Sequence, residues 1–141
     1  MAEALRKVLD TWAVIAWLRD ERGAERVERL WSEAAAGKVQ LLMSAINVGE
    51  VFHVAARWRS LADAELVVRH LQEMPLEIRP VPNTIVWETA RLKALHRLSY
   101  ADAFAVATAV RESATLVTGD PEILELARKG LAQVEWVGGP D

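Results

Sequence analysis

The sequence predicts an α/β domain: a mostly parallel sheet of about five strands, covered by helices on both faces. Short β-branched runs alternate with helical patterns along the whole chain, as in folds whose parallel strands are joined by crossover helices. No internal repeat, low-complexity segment or Ser/Gly-rich linker interrupts that alternation, so residues 1–141 are expected to form one domain. The first strand falls at 7–10 and is followed by helices at 12–19 and 24–36, with Gly37 suited to the second helix's end. A strand at 39–43 leads through Ser44, a natural N-cap, into a helix at 45–58 and another at 61–73. Pro75, Pro80 and Pro82 bracket the third strand, 77–81, and confine it to a short segment at or near an edge. Helices follow at 83–96 and 100–112, the second capped by Ser99. A strand at 115–118, a helix at 121–129 opened by Asp120-Pro121, and a last strand at 134–137 complete the series.

Composition narrows the chemistry. Hydrophobic residues make up 52% and charged residues 26%, a globular balance. With no cysteine, disulfides, thiolate zinc sites and cysteine nucleophiles are excluded. No apolar run approaches membrane-span length, and Met1 to Lys7 lacks a signal-peptide core, so a cytoplasmic protein with no membrane partner is expected. The net charge of −3 is only a weak argument against nucleic-acid binding. Of the 20 acids, removing four that a metal would neutralise leaves 16 against 17 bases.

Those four are Asp10, Glu50, Asp102 and Asp120, each interrupting an apolar run where a carboxylate is costly. Asp10 closes the first strand and Asp120 follows the fourth by two residues. If those strands are neighbours, both acids lie at the rim where α/β sheets bind ligands. Glu50 is flanked four residues away by Ile46 and Val54, which puts it on a core-facing stripe. Asp102 is followed at helical spacing by Ala105, Val106 and Ala109, so it too faces inward. Clustered carboxylates raise one another's pKa unless a cation holds them ionised. Oxygen-only donors select Mg²⁺, with Mn²⁺ able to substitute. One or two such ions suit phosphodiester hydrolysis by a metal-activated water.

Each acid also has an ordinary explanation. Asp120 can be a helix cap, worth about 1 kcal/mol. Asp10 can simply stop a strand, and Asp102 can be a first-turn acid favoured by the helix dipole. Glu50 has no such account, since Arg57 is too far along to pair with it at i+4. His53, His70 and His96 lack shared ligand spacing and belong on helix surfaces or boundaries. Asp63 and Glu65 sit at a charged helix start and are expected in solvent.

At Val8-Leu9-Asp10-Thr11, Ser44-Ala45-Ile46-Asn47-Val48-Gly49-Glu50-Val51, Leu98-Ser99-Tyr100-Ala101-Asp102-Ala103 and Leu116-Val117-Thr118-Gly119-Asp120-Pro121 the chain resembles the PIN-domain ribonucleases. The likeness is closest to the VapC-like toxins of toxin–antitoxin pairs. Four segments in that order, spanning nearly the whole chain, are fairly specific. The resemblance implies a three-layer α/β/α sandwich and a metal-dependent endoribonuclease with Mg²⁺ or Mn²⁺ on the quartet Asp10, Glu50, Asp102 and Asp120. It also implies an RNA substrate, a homodimer and inhibition by a small cognate antitoxin. Thr11 and Thr118 fall where small hydroxyl residues support the metal or its water. Trp12 departs from the pattern: a small or polar residue is usual there, and an indole beside the site narrows the substrate path.

Six tryptophans are many for this length. Trp31, Trp58 and Trp87 are core residues by default and interface residues on the sharper reading. The stretch around Trp58 is the candidate partner or dimer surface, although Arg57 and Arg59 could instead hold RNA phosphates. The rival to an enzyme is a catalytically silent PIN-like module that binds RNA or protein. A phosphate-accepting α/β protein ranks below both, since no Gly-rich phosphate loop is present.

Overall fold

The computed structural model describes residues 5–140; Met1 to Ala4 and Asp141, which the expected 1–141 domain includes, lie outside them. Five strands, β1 (Leu5–Leu9), β2 (Val39–Ser44), β3 (Glu77–Arg79), β4 (Thr115–Thr118) and β5 (Val134–Trp136), form one sheet in the order β3-β2-β1-β4-β5. Every pairing is parallel. Seven helices join them: α1 (Thr11–Leu18), α2 (Ala24–Ala35), α3 (Ala45–Trp58), α4 (Leu61–Glu73), α5 (Asn83–Leu95), α6 (Tyr100–Arg111) and α7 (Pro121–Arg128).

Adjacent strand residues point to opposite faces, and both faces are apolar. Leu9, Leu41, Met43 and Val117 pack under Ala13 and Val14 of α1, Val27, Leu30 and Trp31 of α2, Val51 of α3 and Leu71 of α4. Val8, Leu42 and Leu116 face the other way, against Val106 of α6 and Ile123 and Leu126 of α7. Helix α6 is buried without a break from Ala103 to Ala109, because α5 covers its far side, Ile85 packing against Phe104 and Ala107. Its alanines let it lie close to the sheet. Burying one Leu or Val is worth about 1.5–3 kcal/mol, so these clusters supply the driving force. Caps at about 1 kcal/mol each decide where helices begin.

The expected caps are in place. Ser44 Oγ accepts from Ile46 N at 3.2 Å, and Ser99 Oγ accepts from Asp102 N at 3.1 Å. Gly37 ends α2 with φ +77°, its N–H bonded to Ala34 O at 3.0 Å. Three strand ends are shorter than expected. Asp10 leaves the ladder to cap α1, so β1 stops at Leu9. Pro80 has no N–H to donate, and edge strand β3 stops at Arg79. β5 stops at Trp136, though Val137 N still donates to Thr118 O at 2.9 Å.

This topology sets the site's address. The chain winds outward from β1 through β2 to β3, then returns past β1 to β4 and β5. The strand order reverses between β1 and β4, and the crevice at the carboxyl ends there is where such sheets bind ligands. Asp10 and Asp120 are the acids that follow those two strands.

Candidate metal centre

Asp10 is the fixed point of the site. It is fully buried, its Oδ1 accepts from Ala13 N at 2.8 Å, and its Oδ2 accepts from the Thr118 hydroxyl. Thr118 Oγ1 in turn accepts from Asp120 N at 3.0 Å, so one threonine links the acid after β1 to the acid after β4. Burial pushes the Asp10 carboxyl up to about 7, against the lowering effect of the Thr118 and Ala13 hydrogen bonds; the charges of Asp120 and Glu50 push it further.

Asp102 stands half-buried in the first turn of α6. Its carboxyl is pushed up to about 8, first by burial, then by the charge of Asp120 and a hydrogen bond to it, and also by the charge of Asp10; Ser99 opposes. Asp120 Oδ1 accepts from Glu122 N at 2.8 Å, so this acid caps α7 and faces the cluster at once. Oxygens of Asp102, Asp120 and Glu122 all lie within 4.8 Å of one another. Glu122 lies outside the expected quartet. Its place two residues after Asp120 reads as a first-turn helix acid, which hides a second use.

Glu50 requires a correction. The buried stripe of α3 is Asn47, Val48, Val51 and Ala55, while Ile46, taken as a marker of the inward face, is 38% exposed. Glu50 therefore stands half-buried at the edge of that stripe, close enough for its charge to act on Asp10 but outside the tight group of three.

Asn47 was not singled out by the sequence, yet it holds the site's frame. Its carboxamide is fully buried, and Nδ2 donates to Thr11 Oγ1 at 3.2 Å and to Ala101 O at 3.0 Å. One side chain thus ties the residue after Asp10 to the residue before Asp102. Asn47 Oδ1 has no hydrogen-bond partner among the described residues. Thr11 Oγ1 also donates to Asn47 O at 3.4 Å, so Thr11 acts on the frame while Thr118 touches a carboxylate directly. Trp12 lies flat against Gly119, where a Cβ would fall 2.3 Å from its Cη2.

The charges acting on Asp10 and Asp102 are all carboxylates. Oxygen donors that destabilise one another and pair with no base among the described residues fit a hard divalent cation, which stabilises their ionised forms. Asp102, Asp120 and Glu122 are spaced to share one.

No curated protein matches the sequence. Solved structures do match in shape. VapBC from Salmonella typhimurium bound to DNA superposes with a TM-score of 0.70 at 17% identity, covering 93% of this chain and 97% of that one. VapBC-1 from nontypeable Haemophilus influenzae gives 0.68 at 21% identity, covering 95% and 99%. VapC20 of Mycobacterium tuberculosis, a sarcin–ricin-loop-cleaving toxin, gives 0.66 at 17% identity, covering 84% and 93%. At these identities the likeness is one of fold. The PIN domain model matches residues 7–129. That stretch contains the end of β1, all of β2 to β4, the crevice between β1 and β4 and every carboxylate described above, and the chain belongs to the PIN domain family.

Proposed function

We propose that this protein is a Mg²⁺-dependent endoribonuclease of one nuclease domain, 1–141, and the toxin half of a toxin–antitoxin pair. The observation that carries the reading is the convergence of Asp102, Asp120 and Glu122 within 4.8 Å beside buried Asp10. Asp10, Asp102 and Asp120 hold the cation directly or through water, with Glu50 and Glu122 completing the oxygen set. Mg²⁺, or Mn²⁺ in its place, supplies charge neutralisation at a phosphoryl group and a lowered pKa for water.

The chain's own residues have separate tasks. Thr118 and the Ala13 N–H bind both oxygens of Asp10 and orient it toward the crevice. Thr118 also orients Asp120 through its backbone N–H. Asn47 sets the spacing of the Asp10 and Asp102 segments. The hydrolytic proton passes to solvent at the open rim, where Glu122 is exposed.

Two surfaces support partners. Ile15, Leu18, Ala55, Trp58, Leu66 and Val67 line a groove of about 280 Å³. Arg19 and Arg59 lie 4.7 and 4.9 Å over the Trp58 ring at its edge. This mix of aromatic, aliphatic and arginine suits a small antitoxin. On α5 and α6, Trp87, Leu95, Tyr100 and Val110 are all more than half exposed, apolar side chains suited to contact with a second copy of the chain.

Cleavage of single-stranded and structured RNA in Mg²⁺ tests the reading. Wild-type protein should cleave, EDTA should stop it, and Asp10→Asn or Asp102→Asn should lower the rate at least about 100-fold with circular dichroism unchanged. Cleavage that survives both substitutions and EDTA would end the proposal. RNA binding without cleavage of any substrate would favour the silent module.

A further inference from the structure

A second cleft opens between α1, the turn that follows it and the segment after β5. It encloses about 480 Å³ and is lined by Trp12, Arg19, Glu21, Arg22 and Gly138, among others. Trp12 follows Asp10 by two residues, and Gly119, on which its ring rests, is bonded to Asp120. The cleft thus shares Trp12 with the segment that follows Asp10, and the ring of Trp12 rests on the residue before Asp120.

Glycine placement marks this cleft as built. A Cβ would fall 2.3 Å from Trp12 Cη2 at Gly119, and 3.1 Å from Trp12 Cζ3 at Gly23. It would fall 2.5 Å from Trp136 Cζ2 at Gly138 and 2.4 Å from Arg22 Cδ at Gly139. The other three glycines, Gly37, Gly49 and Gly130, meet nothing within 4 Å. Gly138 lines the cleft itself, Gly119 and Gly139 receive the side chains of its lining residues Trp12 and Arg22, and Gly23 admits the Val137 carbonyl at 2.8 Å as well as Trp12. Trp136 Nε1 donates to Gly139 O at 2.5 Å and pins the segment on which Arg22 lies.

Charge sets the occupant. Arg19 and Arg22 are exposed and have no carboxylate within ion-pairing distance among the described residues, whereas Arg6, Arg26 and Arg79 all do. Glu21 is the one acid in the lining. RNA approaching a rim of carboxylates is repelled, so its neighbouring nucleotides need positive charge close by. An aromatic ring with two guanidiniums meets that need, since bases stack on indoles and phosphates pair with arginine. The volume suits a nucleotide-sized ligand.

We propose that this cleft holds the nucleotide adjoining the scissile phosphate of single-stranded RNA, its base against Trp12 and its flanking phosphates on Arg22 and Arg19. This rests on the ribonuclease reading and extends it to substrate positioning. The apolar groove at Trp58 is the better protein site; the two share Ile15 in their linings, and Arg19, which lines this cleft, also lies over the Trp58 ring.

The test is binding of a labelled single-stranded RNA of about ten nucleotides in EDTA across a salt series, with cleavage kinetics in Mg²⁺ alongside. Arg22→Gln should weaken binding several-fold and reduce the salt slope by about 0.7, one phosphate contact on a single strand. Trp12→Leu should weaken binding about tenfold with the slope unchanged. In cleavage, both should raise KM and leave kcat within about twofold. Arg22 is exposed, so its variant reports even where loss of Trp12 unfolds the chain. Unchanged RNA affinity and slope in Arg22→Gln overturns the proposal, as does a loss confined to binding of a protein partner. Failure of the ribonuclease reading looks different: wild-type protein cleaves no RNA, while RNA binding still depends on Arg22.

Discussion

Two sets of acids in this molecule are handled in opposite ways. On the flanks of the sheet, Glu135 accepts from Lys7 and Arg26, each at 2.5 Å, and Glu112 accepts from Arg6 at 2.5 Å and Arg79 at 2.9 Å. Burial opposes ionisation of Glu135, but Arg26 and Lys7 prevail and hold it below the usual carboxylate range. At the rim, Asp10 and Asp102 have no ion-pairing base among the described residues, and burial first, then the charges of neighbouring carboxylates, pushes them up to about 7 and 8. The chain has bases enough and directs them elsewhere. Acids left unpaired in a protein that pairs its other buried acids mark a candidate site for an external cation.

The comparison can be broken most forcefully with pH and metal. Asp10 and Asp102 keep protons to higher pH in the folded chain than in the unfolded one. Between the ordinary carboxylate range and about 8 the native state therefore binds more protons, and metal-free stability falls as pH rises. Thermal unfolding in EDTA should show Tm dropping by roughly 5–10 °C from pH 5 to pH 8. Saturating Mn²⁺ should remove most of that drop, adding about 2.7 kcal/mol at a hundred times Kd. A flat profile in EDTA, or no response to Mn²⁺, would remove the contrast.

Glu135 has the opposite sign. Its lowered pKa contributes stability above the usual carboxylate range that is lost as pH falls. Glu135→Gln should cost roughly 2 kcal/mol in urea unfolding at pH 7 and leave the Mn²⁺ response intact. The finest distinction is at Asp120, a cap and a cluster acid at once. Asp120→Ser keeps a capping oxygen, so metal-free stability should change by no more than about 0.5 kcal/mol while the Mn²⁺-induced rise in Tm shrinks. Equal loss of both would make Asp120 a cap only.

Much of the architecture was legible because periodicity reports faces. The runs 39–43 and 115–118 are apolar on both sides and became inner strands, and the prolines around 77–81 correctly marked an edge. The site was legible as far as four acids in unfavourable surroundings. What escaped depends on which layers meet. Glu50 was argued from Ile46, but α3 turns a different stripe inward, with Asn47 and Val51 at its centre. Glu122 looked like any acid after a helix-opening proline, and only the approach of α6 to α7 gives it neighbours. Asn47, a lone amide in an apolar run, carries no periodic signal; its importance comes from reaching two other helices.

That amide has a mechanical consequence. Helices α1 and α6 belong to opposite layers, and Asn47 fastens the starts of both to α3. The two walls of the crevice cannot slide apart without breaking a buried hydrogen bond. A ligand of the crevice would therefore enter and leave between walls held at a fixed spacing.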